Sequence, residues 1–228
     1  MEQASMKVIA IMKSDFPAKF GIPRQSGLVP ELHSTIIFEP EFRNSDALRG
    51  LEDFSHLWII WQFSKAVRTD WSPTVRPPRL GGNTRMGVFA TRSPFRPNNI
   101  GLSCVKILEI EQTEKFGTVI HVGGADLMDG TPIFDIKPYI PYSDCHPDAS
   151  GGFTQAANDY ILKVVISDDL LIKVPVDKRE ALLGVLAHDP RPSYQKDSDR
   201  IYGLNFSGLD IRFQIEDGTL TVHEITNA

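Results

Sequence analysis

The sequence predicts a mainly β protein, with a β-barrel or β-sandwich over residues 1–145 and a smaller α+β unit over residues 146–228. Three observations predict this class. Short runs rich in β-branched residues are bounded by Pro and Gly in the first 140 residues. Only one short helical pattern lies among them, so the strand–helix alternation of a doubly wound sheet is missing. A stretch rich in Pro, Gly, Ser and Asp, PYSDCHPDASGGFTQAAND at residues 141–159, then separates the two units.

The first unit holds seven predicted strands. They cover residues 7–12, 32–38, 57–63, 86–91, 102–111, 118–122 and 132–136. The third, LWIIWQF, is almost continuously apolar, which is typical of a strand buried on both faces. A short helix is expected over residues 45–51, with Asn44 or Ser45 as its cap.

The second unit begins with a predicted strand over residues 160–166. A helix is expected over residues 177–187, where Asp177 and Glu180 form a D-x-x-E capping box. Residues 209–215 and 220–225 alternate with period two around Asp217-Gly218, a dipeptide that favours a tight β-hairpin.

Composition and charge exclude several classes of protein. The 228 residues contain 24 Lys and Arg against 29 Asp and Glu, a formal charge of -5 that excludes a generically basic, histone-like binder. No apolar run approaches the ~20 residues of a membrane-spanning helix, so no membrane segment is expected. Residues 1–10 do not resemble a signal peptide. The two cysteines, Cys104 and Cys145, form no CxxC pattern, which favours a reducing, cytoplasmic location.

The positive charge is concentrated in one segment. Residues 68–96 contain six arginines and a single acid, Asp70, whereas the other 199 residues carry 18 basic and 28 acidic groups. A guanidinium is a planar fork of donors that matches phosphate or carboxylate. The segment is therefore either an anion site or a solvated loop whose arginines pair with acids elsewhere.

Common catalytic motifs are absent from the sequence. There is no GxGxxG, GxxxxGK[ST], HExxH or GxSxG pattern. The six histidines show no ligand-like spacing, so no metal site is expected. Cys104 lies inside a predicted strand, where a small buried hydrophobe is more common than a nucleophile.

Four unusual segments remain, and they predict a type of site. They are KFGIPRQSGLVP at 19–30, WSPTVRPPRLGG at 71–82, GVFATRSPFRPNNIG at 87–101 and GGADLMDGTPIFDIKP at 123–138. Rigid loops carrying Arg, Gln and Asn suit phosphates and base edges. An acidic turn can bind ribose hydroxyls or accept a proton, although Asp129-Gly130 is also an ordinary turn dipeptide. The combination indicates a nucleotide-like ligand together with an anionic polymer, without specifying which bond is made.

These segments, together with FSHLWII at 54–60 and DPRPSY at 189–194, resemble the TsaA-like family, also called YaeB or TrmO. The resemblance runs from about Lys7 to Asp148 and continues in the second unit. It implies a closed β-barrel and an S-adenosylmethionine-dependent tRNA methyltransferase. The implied acceptor is the exocyclic amine of N(6)-threonylcarbamoyladenosine at tRNA position 37, beside the anticodon. It also implies a homodimer, with the cofactor held in loops at the barrel end near the subunit interface.

The resemblance also assigns site residues. Those implied to bind the cofactor are Pro23, Arg24, Gln25, Ser64, Lys65, Arg92, Ser103, Cys104, Asp126, Leu127, Met128 and Asp129. Ser64-Lys65 departs from the His-Gln that the family often has there. Because the acceptor nitrogen is part of a urea-like group, we hypothesise that Asp126 or Asp129 takes its proton. The arginines predicted to bind tRNA are Arg76, Arg79, Arg85 and Arg96.

Two other functions stay open at this point. One is a non-catalytic barrel that binds RNA or a nucleotide, which the Ser64-Lys65 departure favours. The other is a methyltransferase with a different, small-molecule acceptor. A purely structural module is the least attractive reading of the arginine-only segment.

Overall fold

A computed structural model describes residues 5–67, 70–77, 80, 82–157, 160–192, 195 and 197–228. Arg68 and Arg79 of the arginine-rich segment lie outside the described residues, as do Ser193 and Tyr194 of DPRPSY.

The described secondary structure is dominated by strands, which confirms the mainly β class. The strands are β1 (Ala10–Lys13), β2 (His33–Phe38), β3 (His56–Gln62), β4 (Thr74–Val75), β5 (Met86–Gly87), β6 (Ile100–Thr113), β7 (Gly117–Gly123), β8 (Pro132–Pro138), β9 (Lys163–Val165), β10 (Tyr202–Phe206), β11 (Leu209–Glu216) and β12 (Thr219–Asn227). The α-helices are α1 (Pro141–Asp144), α2 (Asp168–Leu171) and α3 (Arg179–Ala187). In the part of the chain that the structure describes, no helix is long and apolar enough to cross a membrane.

Six strands of the first unit are hydrogen-bonded edge to edge in a ring. Their order is β1-β2-β7-β6-β3-β8, and β8 pairs again with β1 at Ala10↔Ile133, so the ring closes. All the pairs are antiparallel. Period-two alternation points one face of each strand inward. Along β3, Leu57, Ile59 and Trp61 are buried while the residues between them are only partly buried, so only one face of this strand is fully buried and not both as predicted. These side chains form the core of the ring.

The second unit is a four-stranded sheet in the order β10-β11-β12-β9, packed with α3. The predicted hairpin is confirmed, because Asp217 and Gly218 both have positive φ, as a tight two-residue turn requires. The core of this unit also contains Phe16, Val29 and Leu32 from the first unit. The segment 14–32 is therefore anchored on the C-terminal sheet.

Three local predictions were wrong in detail. The strand predicted over 86–91 is limited to Met86–Gly87, because Val88–Ala90 turns into a 3-10 helix and has no partner strand among the described residues. The helix predicted over 45–51 is two 3-10 turns, separated by Gly50 in the left-handed region, although Asn44 does cap the first by accepting from the Asp46 N–H.

The D-x-x-E capping box is also wrong. The segment Val176–Lys178 forms a 3-10 turn after Pro175, and α3 begins only at Arg179, so Asp177 lies ahead of the helix. Within the part of the chain that the structure describes, no side chain caps either of these two elements.

Candidate functional site

The unusual loops leave the same end of the ring. Because neighbouring strands are antiparallel, β1, β3 and β7 end where β2, β6 and β8 begin, as the pairs His33↔Gly123 and Gln62↔Ile100 show. The connections at this end are residues 14–32, 63–99 and 124–131. Most of the residues predicted to form the site lie on these connections, so the ring brings together segments that are far apart in the sequence.

A hydrogen-bonded chain of three side chains lies at this end. Trp61 Nε1 donates to Ser103 Oγ at 2.9 Å, and Ser103 Oγ donates to Asp126 Oδ1 at 2.6 Å. Trp61 and Ser103 are only 7% and 1% exposed. Gly101 makes room for the indole, since a Cβ there would lie 2.2 Å from Trp61 Cε2. The carboxylate of Asp126 is therefore held in one orientation by buried groups.

Burial raises the pKa of Asp126 above its ordinary value, because a carboxylate that loses water is harder to ionise. Four groups act in the opposite direction: the Ser103 hydroxyl, the backbone N–H of Asp126 itself, the charge of Arg92 and the backbone N–H of Ser26. Burial has the larger effect. Asp126 is thus a stronger proton acceptor than an exposed aspartate.

We expect Ser103→Ala to raise the pKa of Asp126 further, because the variant loses a hydrogen bond that favours the ionised carboxylate. An NMR titration of 13C-labelled aspartate carboxyls measures this directly. Ser34→Ala is the matched control, since Ser34 is a buried serine on β2. If the Asp126 titration is the same in Ser103→Ala and wild type, the hydrogen-bonded chain does not control this carboxylate.

The loop at residues 19–30 also contributes side chains and backbone contacts to the site. Arg92 Nη1 donates to Gln25 Oε1, and Gln25 Nε2 donates to the Arg24 carbonyl at 2.5 Å. The Gly27 N–H donates to the Gly124 carbonyl at 2.8 Å, which ties this loop to the turn that carries Asp126. Gln25, Arg92, Ser103 and Asp126 are therefore four predicted site residues that the fold brings together.

Asp129 has a different environment. Its carboxylate accepts the Ser14 N–H at 2.9 Å and pairs with Lys13 Nζ at 3.0 Å, while its own N–H donates to the Phe16 carbonyl. Both carboxylate oxygens are thus engaged in bracing the start of the 14–32 connection. Between the two aspartates, the geometry favours Asp126 as the proton acceptor.

The neighbours of Asp129 mainly shape the turn. Leu127 is fully buried in the core of the ring, and its carbonyl accepts from Ser14 Oγ at 2.9 Å. The Met128 carbonyl accepts from the Thr131 hydroxyl at 2.6 Å. Gly130, with φ of +73°, allows the tight reversal.

Other predicted residues lie farther from this cluster. The Cys104 side chain is on the opposite face of β6 from Ser103, opposite Trp58, and burial raises its pKa. Ser64 is partly buried and Lys65 is exposed; the Lys65 carbonyl accepts from Lys19 Nζ at 3.0 Å. Pro23 and Arg24 line a cavity on the other side of their loop.

The arginines predicted to bind RNA differ in availability. Arg76 and Arg85 are exposed and, within the described residues, have no hydrogen-bond or ion-pair partner. Arg96 instead donates to the Thr91 carbonyl at 2.7 Å and lies over the Phe89 ring, so it braces its own loop. Arg79 lies outside the described residues.

Sequence reasoning missed two features of this end. Trp61 was counted only as a core residue of its strand, and its link to Ser103 depends on the β3–β6 register. Trp71 and Phe89 form an exposed aromatic pair with ring centroids 6.2 Å apart. Their exposure was not visible in the sequence, because both belong to residue types that are usually buried.

The polar side chains of this cluster fit S-adenosylmethionine, the cofactor that the resemblance implies. Arg92 can bind a carboxylate, Asp126 can bind hydroxyls or a cationic group, and Gln25 offers an amide between them. Among the described residues, no group of three or more His, Cys, Asp or Glu side chains could hold a metal ion.

Comparisons with known proteins match both units. A family model described as the tRNA-methyltransferase O N-terminal domain matches residues 11–145, and the TrmO C-terminal domain model matches residues 163–228. The chain is 40% identical over 230 residues to a tRNA (adenine(37)-N6)-methyltransferase of Escherichia coli K12, covering 97% of each protein. It is 38% identical over 218 residues to a putative S-adenosylmethionine-dependent methyltransferase of Pseudomonas aeruginosa, covering 92% of this chain and 91% of that protein. A crystal structure of TrmO from P. aeruginosa superposes with a TM-score of 0.81 at 32% identity, covering 100% of this chain and 99% of that one.

Proposed function

Because the chain belongs to the tRNA-methyltransferase O family, we propose that it is a tRNA (adenine(37)-N6)-methyltransferase that uses S-adenosylmethionine. Its substrate is adenosine 37 whose N6 already carries a threonylcarbamoyl group. The observation that supports this most is the Trp61–Ser103–Asp126 chain, which holds a proton acceptor at the end of the ring where the unusual loops meet.

Each residue of the cluster has a role in this reaction. When bound, S-adenosylmethionine would supply a methyl group on a sulfonium, whose carbon–sulfur bond breaks to release a neutral thioether. Asp126 accepts the proton of N6 at a carboxylate oxygen, so the electron pair of the N–H bond stays on nitrogen and makes it the nucleophile. Ser103 holds the Asp126 carboxylate in place and is itself held by Trp61. Arg92, oriented by Gln25, binds the carboxylate of the cofactor. Alignment of the two reactants supplies much of the rate enhancement.

The finer features of the assembly are also part of the proposal. Residues 1–145 form the methyltransferase unit, with the six-strand ring as its closed barrel, and residues 146–228 form the second domain. The active enzyme is a homodimer. Support comes from Ile100 and Leu102, which are exposed apolar side chains on β6 beside Ser103. The enzyme acts in the cytoplasm, where its tRNA substrate is found.

Methyl incorporation tests the function. The protein is incubated with labelled S-adenosylmethionine and with two tRNA preparations, one with and one without the threonylcarbamoyl group. We expect label at position 37 only in the first preparation. If neither preparation is labelled, the protein is a non-catalytic binding protein. Equal label in both would contradict the proposed substrate.

Binding of tRNA should weaken steeply as salt is added, because an overall acidic protein must attract phosphates through local arginines. For Arg76→Gln/Arg85→Gln we expect affinity on the order of 25-fold lower at 0.15 M salt, about fivefold for each lost phosphate contact. Fluorescence anisotropy with labelled tRNA over a KCl series measures both effects.

The control is Lys115→Gln, which removes an exposed positive charge from the β6–β7 turn at the opposite end of the ring. If the double variant binds like this control, the arginine-rich segment is not part of the tRNA surface.

A further inference from the structure

A second cluster of cationic side chains lies where the first unit meets the second. Two adjoining cavities of about 380 and 350 Å³ open between residues 19–24 and the C-terminal unit, and both are lined by Phe20 and Pro192. We call these two cavities the interdomain groove. Pro23 and Arg24 of the predicted cofactor loop line the first cavity, but neither cavity includes Asp126, Ser103 or Arg92, so the groove adjoins the Asp126 cluster without including it.

The charge of the interdomain groove differs from that of the chain. Its described lining includes five cations and one acid: Lys19, Arg24, Arg191, Arg200 and Arg212, with Asp189. The chain as a whole has a formal charge of -5. A concave surface that gathers cations on an acidic protein is a local attractor for anions.

Two arginines of the groove are held by neighbouring carboxylates. Arg191 pairs with Asp189 through Nε and Nη2, both at 3.0 Å, and both side chains are largely buried. Arg212 is oriented by Asp210, with Nη2 at 2.6 Å from Oδ2, while remaining about half exposed. The guanidinium groups of Arg191 and Arg212 are therefore prearranged.

Arg200 is the most available of these cations. It is exposed, lies over the Tyr202 ring at 5.2 Å, and has no carboxylate partner among the described residues. Donors that lack a protein partner at the wall of a polar cavity can bind phosphate oxygens.

The interdomain groove is continuous with the Asp126 end of the ring through a single loop. Arg24 Nη2 donates to the Arg191 carbonyl at 3.3 Å on the groove side. Its neighbour Gln25 holds Arg92 on the side of Asp126. An extended anion that reaches the Asp126 cluster can therefore also pass along the groove.

We infer that the interdomain groove binds backbone phosphates of the tRNA substrate and makes the C-terminal unit a second tRNA contact. This inference rests on the proposed function for the identity of the polyanion. An RNA backbone fits better than a small nucleotide, because the cations are spread over two joined cavities and not gathered around one point.

The test compares Arg200→Gln and Arg200→Gln/Arg212→Gln with a matched control. Lys163→Gln is that control: Lys163 is exposed on β9, at the opposite edge of the sheet from β10, and does not line the groove. Binding of a fluorescently labelled tRNA transcript is followed by anisotropy from 50 to 300 mM KCl, and thermal melting confirms that each variant is folded.

We expect affinity at 0.15 M KCl to fall about fivefold in the single variant and on the order of 25-fold in the double variant. The slope of log K against log salt becomes shallower by about one and two units. If the double variant is unstable, Arg200→Gln alone tests the inference, because the Arg200 side chain is exposed. Wild-type affinity and slope in Arg200→Gln would overturn the inference.

Methyl incorporation by the wild-type protein separates this inference from the proposed function. If wild type methylates tRNA and Arg200→Gln binds tRNA normally, the groove assignment is wrong and the function stands. If wild type binds tRNA through Arg200 but transfers no methyl group, the groove assignment stands and the proposed activity is wrong.

Discussion

Replacing Asp126 with Asn should lower the rate of methyl transfer to tRNA by a factor of about 10² to 10⁴. The amide retains the size of the side chain and an oxygen that can accept from Ser103, but it cannot take the proton from N6. We expect cofactor affinity and tRNA affinity to change far less than the rate. Single-turnover kinetics with saturating enzyme measure the chemical step.

The same variant should be at least as stable as wild type at pH 8. Burial raises the pKa of Asp126 in the folded protein, so the native state loses stability as pH rises through that raised pKa. Asn does not titrate, and the difference in unfolding free energy between the variant and wild type therefore increases from about pH 4, near the ordinary pKa of aspartate, to pH 8. Urea denaturation at the two pH values tests this sign.

Asp135→Asn is the control for both measurements. Asp135 lies on β8 in the same acidic segment, but it pairs with Lys137 and does not contact Ser103. A rate near wild type in Asp126→Asn, or an equal loss in Asp135→Asn, would show that Asp126 is not the proton acceptor.

Replacing Phe16 with Ala should lower the free energy of unfolding by about 3–5 kcal/mol. Phe16 is 1% exposed and packs edge-on against Phe206, with ring centroids 5.4 Å apart. Its carbonyl also accepts the Asp129 N–H, so the cavity would loosen the anchor of the 14–32 connection. Urea denaturation gives the stability, and calorimetric titration with S-adenosylmethionine is expected to show weaker binding.

Phe54→Ala provides the comparison, because Phe54 is 38% exposed and lies in neither of the two core clusters. We expect it to cost less than about 1 kcal/mol. Similar losses in the two variants would mean that the 14–32 connection does not depend on the C-terminal core.

The strands of the ring were predictable because burial on one or both faces leaves a clear apolar pattern. The pattern does not show which residues of neighbouring strands lie opposite each other. Trp61 and Ser103 are 42 residues apart, and only the pairing of β3 with β6 places them within hydrogen-bond distance. The strand β10 was missed because Gly203 and Asn205 disfavour strands locally, and pairing with β11 overrides that preference.

The site was predictable as a set of segments, and the roles of single residues were not. Asp126 and Asp129 look alike in the sequence, three positions apart on one turn. Their environments differ. Lys13 and Ser14, more than 110 residues away in the sequence, donate hydrogen bonds to Asp129, whereas Asp126 interacts with Ser103 and Arg92. The error at 86–91 has a similar cause, since residues with strand propensity have no partner strand in the described part of this region.

The most direct test of the account is a crystal structure of the protein with S-adenosylhomocysteine and an anticodon stem-loop. The account predicts the cofactor product among Gln25, Arg92 and Asp126, with N6 of residue 37 within hydrogen-bond distance of the Asp126 carboxylate. A cofactor product bound elsewhere on the protein, or N6 facing another group, would contradict it.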